Sequence, residues 1–169
     1  MKVLSAPISK KDIDELEVGD LIEVSGYIFA GRDSVLPKLV GLGDESRLNE
    51  LNLSFEGSVI FHSAVSIAGI GPTSSNKLEI ESSMVPLSRM GVRLHIGKGA
   101  IGEDTVRGLA DNHAVFAIIP PVSALLTSLA VEKELVAFPE EGMEALFRLK
   151  VRGFTAIVAA AKGKSFFTD

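Results

Sequence analysis

The chain of 169 residues contains no cysteine. Disulfides, thiolate nucleophiles and any iron–sulfur cluster held by the chain's own thiolates are therefore excluded. Tryptophan is also absent and there is one tyrosine, so a stacking platform for single-stranded nucleic acid has little to be built from. Acids and bases are mixed along the sequence with a net charge of −5, and no basic stripe points to a polyanion. No apolar run approaches the ~20 residues that span a bilayer. Met1 to Pro7 lacks the apolar core of a signal peptide. These absences lead us to expect a soluble, cytoplasmic protein with no membrane or nucleic-acid partner.

What the chain does have is apolar content, 46% with mean hydropathy +0.31, enough for a sizeable core. Its length fits a single domain over residues 1–169. Residues 2–8 and Leu21–Phe29 read as strands, and Ser9 with Asp12 three residues on marks a helix start. Residues 34–42 allow a helix with Pro37 in its first turn. Residues 43–57 are polar and turn-rich. Residues 58–64 and 65–69 read as two strands, and residues 75–90 as a helix interrupted near Pro86, with Gly91 closing it. From there strands at 92–96, 114–119, 135–138 and 151–160 alternate with helices at 103–111, 122–130 and 140–150. The expected class is α/β, layered, with a largely parallel sheet in the second half. The β-rich first third is expected to form a second sheet against it.

Two stretches stand out, residues 71–77 (Gly-Pro-Thr-Ser-Ser-Asn-Lys) and residues 96–99 (Ile-Gly-Lys-Gly). Each reads as a loop opening onto a helix with a Lys close by. Unpaired N–H groups and the positive end of the helix dipole favour an anion there. Two such starts point to a ligand with two anionic groups. Residues 97–102 also match G-x-G-x-x-G, but the following strand ends in Pro120-Pro121 where a ribose-binding acid belongs. A phosphate-binding Walker loop fails as well, because Gly91 is one residue out of place and Gly99 stands where Ser or Thr would bind magnesium. The plain alternative for this loop is a tight strand-to-helix turn with an exposed Lys.

Read together, Val18-Gly19-Asp20, Val24-Ser25-Gly26, Gly31-Arg32-Asp33, Gly71-Pro72-Thr73-Ser74-Ser75, Ile96-Gly97-Lys98-Gly99 and Glu141-Gly142-Met143-Glu144-Ala145 resemble one family. It is the β subunit, or C-terminal domain, of class I iron–sulfur hydro-lyases, class I fumarate hydratase and L-tartrate dehydratase. The resemblance implies a swivelling β/β/α domain acting with a cysteine-bearing α subunit, in a hetero-oligomer such as two α and two β subunits. That partner, not this chain, would hold a 4Fe–4S cluster; no metal ligand is expected here. The implied activity is reversible hydration of fumarate to L-malate, with L-tartrate or another 2-hydroxy dicarboxylate as the alternative substrate. A non-catalytic anion-binding or scaffolding module is a third reading, from a different class.

The resemblance also implies roles. Thr73 and Lys98 would be catalytic, Thr73 in proton transfer and Lys98 in lowering its pKa. Arg32, Gly71, Thr73, Ser74, Lys77 and Lys98 would bind substrate. Arg32 offers a planar fork suited to a carboxylate, and a neutral hydroxyl such as Thr73 needs nearby cations to act as a base. Alone, Arg32 reads as a surface ion pair with a nearby acid, and Thr73 as a turn or capping hydroxyl. The chain departs from the family pattern at Lys77, where Arg is usual, at Leu36, where His is common, at Pro120-Pro121 for a Gly-Gly pair, and at Ala159 near a usual Asp. His62, His95 and His113 show no metal-ligand spacing and read as structural or solvent-facing.

Overall fold

The computed structural model describes the chain except for residues 33, 44, 52, 67–68, 74–76, 120–129 and 168–169. Ten strands and five α-helices are described: β1 (Lys2–Ala6), α1 (Lys10–Asp14), β2 (Leu21–Ala30), α2 (Leu36–Leu42), α3 (Glu45–Glu50), β3 (Val59–Phe61), β4 (Ser63–Ser66), β5 (Gly69–Thr73), α4 (Lys77–Arg89), β6 (Leu94–Gly97), α5 (Glu103–Asp111), β7 (Val115–Ile118), β8 (Ala130–Ala137), β9 (Leu146–Ala161) and β10 (Lys164–Ser165). A 3₁₀ segment, Pro139–Glu144, joins β8 to β9.

Eight of these strands form one sheet. β1, β3 and then β6 and β7 extend it in parallel from β2. The 16-residue β9 runs antiparallel to β2 along one edge and to β8 and then β7 along the other. The pairing path β2–β3–β6–β7–β9 therefore returns to β2 and closes a ring. Its interior holds Ile22, Val24, Ile28, Val59, Phe61, Leu94, Ile96, Leu149, Phe154 and Val158, all buried. α2 and α3 with the end of α4 cover the outer side of β2 and β3 through Leu36, Leu39, Leu48 and Leu87. Met84 of α4 and Val106 and Leu109 of α5 cover Phe116 of β7 and Ala159 and Ala160 of β9.

The α/β class and parallel core agree with the sequence, but four expectations are corrected. The first third forms no separate sheet: β1 and β2 belong to the same sheet as the later strands. Residues 140–150 are not a helix. Gly142, at φ 60° and ψ −122°, breaks the 3₁₀ turn, and residues from Leu146 onward extend as β9. Both edges of β9 find strand partners, and that pairing outweighs local helix propensity. The polar segment 43–57 contains α3, which buries Leu48. α4 runs through Pro86 to Arg89 without interruption, its Met84 and Leu87 fully buried. The helix expected over 122–130 lies outside the described residues, apart from Ala130, which begins β8.

One glycine of the family-like motifs, Gly26, and the helix-closing Gly91 have structural explanations. At Gly26 (φ 107°) the pairing of β2 with β9 shifts register, and a Cβ would stand 2.8 Å from the Ala6 carbonyl oxygen. Only glycine fits that bulge. After α4, Gly91 (φ 114°) donates to the Ser88 carbonyl, and the Val92 N–H donates to that of Leu87. This is a Schellman cap, and it turns the chain directly into β6.

Candidate functional site

The parallel strands end together. Ala30 pairs with Phe61, Phe61 with Ile96, and Gly97 with Ile118. Arg32 follows β2 by two residues, and the Gly31 N–H donates to the Phe61 carbonyl at 3.0 Å. Lys98 follows β6 directly, where the Ile119 N–H donates to the Gly97 carbonyl at 3.3 Å. Ser63, two residues past β3, pairs with Thr73 of β5. The segments that carry Arg32, Thr73 and Lys98 thus lie at the carboxyl edge of the parallel strands.

The first key stretch is not the loop the sequence implied. Gly71, Pro72 and Thr73 belong to β5, an edge strand paired with β4. Pro72, with no N–H to donate, falls where the pairing slips between Ile70 and Thr73. Lys77 is the first residue of α4. Ser74 lies outside the described residues.

Arg32 is half-buried and its Nε sits 3.7 Å from Glu144 Oε1. Ser34 Oγ donates to the other Glu144 oxygen at 2.6 Å. The Arg32 Nε is buried and makes no hydrogen bond among the described residues. A partly exposed guanidinium beside an anchored carboxylate has the planar fork that suits an external carboxylate. Of the glycine loop, Gly99 (φ 85°) and Ala100 are exposed and Lys98 is half-buried.

The second helix start is already occupied. Both carboxylate oxygens of Glu81, on α4, accept from the Gly102 N–H at 3.1 Å, and Thr105 Oγ1 donates to Glu81 Oε2 at 2.8 Å. The anion that the start of α5 favours is therefore supplied from within. Of the two helix starts that the sequence offers to a ligand, the one at α5 is filled by Glu81, and the residues just before α4 lie outside the described ones. No spacing signal in the sequence pairs Glu81 with Gly102, because α4 and α5 meet only through the fold.

The sequence also missed a buried chain of polar groups behind this edge. Ser88 Oγ donates to the Met84 carbonyl at 2.8 Å and lies 2.9 Å from His95 Nε2. His95 Nδ1 lies 3.2 Å from His62 Nε2. With the Ser88 proton committed to Met84, His95 Nε2–H donates to Ser88 and His62 Nε2–H donates to His95. Both rings are fully buried. Burial first, and repulsion from His62 second, push the pKa of His95 well below the ordinary histidine range. The structural reading of these two histidines stands, and His113 is exposed and pairs with Asp14. Leu36 and Ala159 are buried in the core.

The family profile described as Fumarase C-terminus matches residues 2–169. The chain belongs to that family. Among its relatives, a putative class I fumarate hydratase of Geobacillus stearothermophilus is 30% identical over 98% of this chain. The match covers 33% of that relative, so the chain spans about one third of its length. The L(+)-tartrate dehydratase subunit beta of Escherichia coli K12 is 29% identical over 94% of this chain and 82% of its own length. A putative L(+)-tartrate dehydratase subunit beta of Methanocaldococcus jannaschii is 25% identical over 96% of the chain and 89% of the relative.

Proposed function

We propose that the chain is the β subunit of an iron–sulfur-dependent hydro-lyase and hydrates fumarate reversibly to L-malate together with an α subunit. The observation that carries this reading is the family match over residues 2–169. The shared carboxyl edge of Arg32, Thr73 and Lys98 supports it. In this reading Arg32 binds one substrate carboxylate through its fork. Lys98 and Lys77 hold the second, Gly71 and Ser74 belong to the same binding segment, and the N–H groups after Pro72 add donors. Thr73 moves the proton on the carbon beside a carboxylate, with the cations stabilising its deprotonated oxygen. Lys77 keeps the charge of the usual Arg but not its bidentate geometry. The swivelling β/β/α architecture of the family goes with this assignment.

The family's 4Fe–4S cluster does not fit this chain's own side chains. There is no cysteine, and among the described residues no group of three or more His, Cys, Asp or Glu side chains could hold a metal. We assign the cluster to the partner, and the steps proposed here are those of this chain alone.

A second reading, an L-tartrate dehydratase β subunit, is favoured by one observation. The match covers 82% of the E. coli subunit beta against 33% of the fumarate hydratase relative. Anaerobic co-expression with the α subunit, followed by parallel assays on fumarate and L(+)-tartrate, separates the two. A kcat/KM for fumarate above that for tartrate supports the first reading, and the reverse ratio supports the second. The chain alone is expected to be inactive on both, and activity from the isolated chain in cluster-free buffer contradicts the partner-dependent mechanism.

A further inference from the structure

Glu81 sits between two of the proposed binding segments. It lies one helical turn after Lys77 on α4. Its carboxylate grips the Gly102 N–H and the Thr105 hydroxyl, at the start of α5 and four residues after Lys98. One side chain therefore ties the helix that begins at Lys77 to the loop that carries Lys98. The three hydrogen bonds hold a charge against the positive end of α5, where it is favoured. α4 and α5 pack on each other at this point, and the apolar side of the contact runs through Met84, Val106 and Leu109. Sideways packing of this kind leaves sliding and tilting comparatively free. A short charged grip at the helix start removes that freedom.

We propose that Glu81 is a positioning residue that holds Lys77 and Lys98 together around the second carboxylate, and so sets its distance from Arg32 and the length of dicarboxylate that the site accepts. This rests on the reading of both lysines as carboxylate-binding. Glu81 touches no substrate in this scheme. It acts on the lysines through the backbone of α4 and of the Gly97–Gly102 loop. A second consequence follows from the same bonds. Because Glu81 fills the start of α5, a substrate carboxylate is directed to Lys98 and not to the helix end.

The test uses the complex with the α subunit, comparing wild type with Glu81→Ala, Glu81→Gln and Glu81→Asp. KM and kcat are measured on the turned-over substrate, and inhibition by malonate, succinate, glutarate and the monocarboxylate propionate is measured alongside. Glu81→Ala is expected to raise KM about 10–100-fold, since small misplacements cost that much, and to flatten the preference among the three diacids while propionate inhibition stays unchanged. Glu81→Gln keeps an acceptor oxygen and restores most of the preference. Glu81→Asp, shorter by one methylene, pulls the loop inward and shifts the preferred diacid to a shorter one, and it serves if the Ala variant does not fold. A uniform loss of activity with the same diacid preference in every variant overturns the proposal and leaves Glu81 a purely structural link. Amide exchange at Gly102 is read in the same proteins. Faster exchange in Glu81→Ala than in wild type is expected. If the wild-type complex turns over no dicarboxylate, the functional reading fails and exchange at Gly102 decides the clamp: equal rates in wild type and Glu81→Ala overturn it.

Discussion

Arg32 shows how much one residue's surroundings decide. A lone Arg beside Asp33 in the sequence reads as a surface ion pair. In the folded chain it stands at the carboxyl edge of the sheet, half-buried, with its Nε unbonded among the described residues and Glu144 at 3.7 Å. Ser34 anchors Glu144 from the far side, so the carboxylate orients the guanidinium without a close hydrogen bond of its own. Replacing Arg32 with Lys keeps the charge and removes the fork. A hydrogen bond to a charged group contributes about 1.5–3 kcal/mol, and the variant is expected to raise KM about 10–100-fold with kcat changed less. Steady-state kinetics on the complex measure this, and an unchanged KM contradicts a carboxylate-binding role for Arg32.

The elements carry a second lesson, in the buried polar chain that links β3, β6 and α4 through His62, His95 and Ser88. The Nδ1 of His95 can accept from His62 only while the His95 ring is neutral. His95 is held neutral well below its ordinary value of 6.5. The unfolded chain binds a proton at His95 near that value, whereas the folded chain does not. Below about pH 6.5 the unfolded state therefore holds more protons, and stability falls as pH falls. The stabilisation is complete above that pH. Urea midpoints between pH 7.5 and pH 5.5 should drop more steeply for wild type than for His95→Gln, which cannot titrate. Parallel curves for the two proteins contradict the assignment of a buried neutral His95.

At the scale of whole elements, legibility followed how local the cause was. α5 over Glu103–Asp111 was readable to the residue, because its acidic first turn and apolar spacing are contained within it. The Ser9 cap, where Ser9 Oγ accepts from the Asp12 N–H at 3.1 Å, was readable for the same reason. β9 was half hidden. Leu146 and Leu149 recur at a helical interval, yet one faces the outer layer and the other the ring interior, a placement made by partners on both edges. β5 was hidden too, since Gly71-Pro72-Thr73 carries every mark of a loop and becomes a strand by pairing with Ser63–Ser66.

For the molecule as a whole, the closed ring of strands brings sequence-distant segments to one edge. β2, β3 and β6 end in register, so the segments after them come to the same edge although local patterns give no hint of it. The cations of the site were legible as residue types, and Lys98 as a glycine-loop lysine. The occupancy of the α5 start by Glu81 was not, since it depends on two helices packing. The chain's part in the proposed reaction is to grip carboxylates and move a proton, with the cluster assigned by that proposal to the partner. The most direct test is dicarboxylate turnover by the anaerobically assembled complex with its cluster intact, in wild type and Lys98→Ala. Wild type is expected to turn over fumarate or L(+)-tartrate, with kcat/KM reduced about 100-fold or more in Lys98→Ala. A fully loaded wild-type complex that turns over no dicarboxylate, or a Lys98→Ala complex as active as wild type, contradicts the proposed role of this chain.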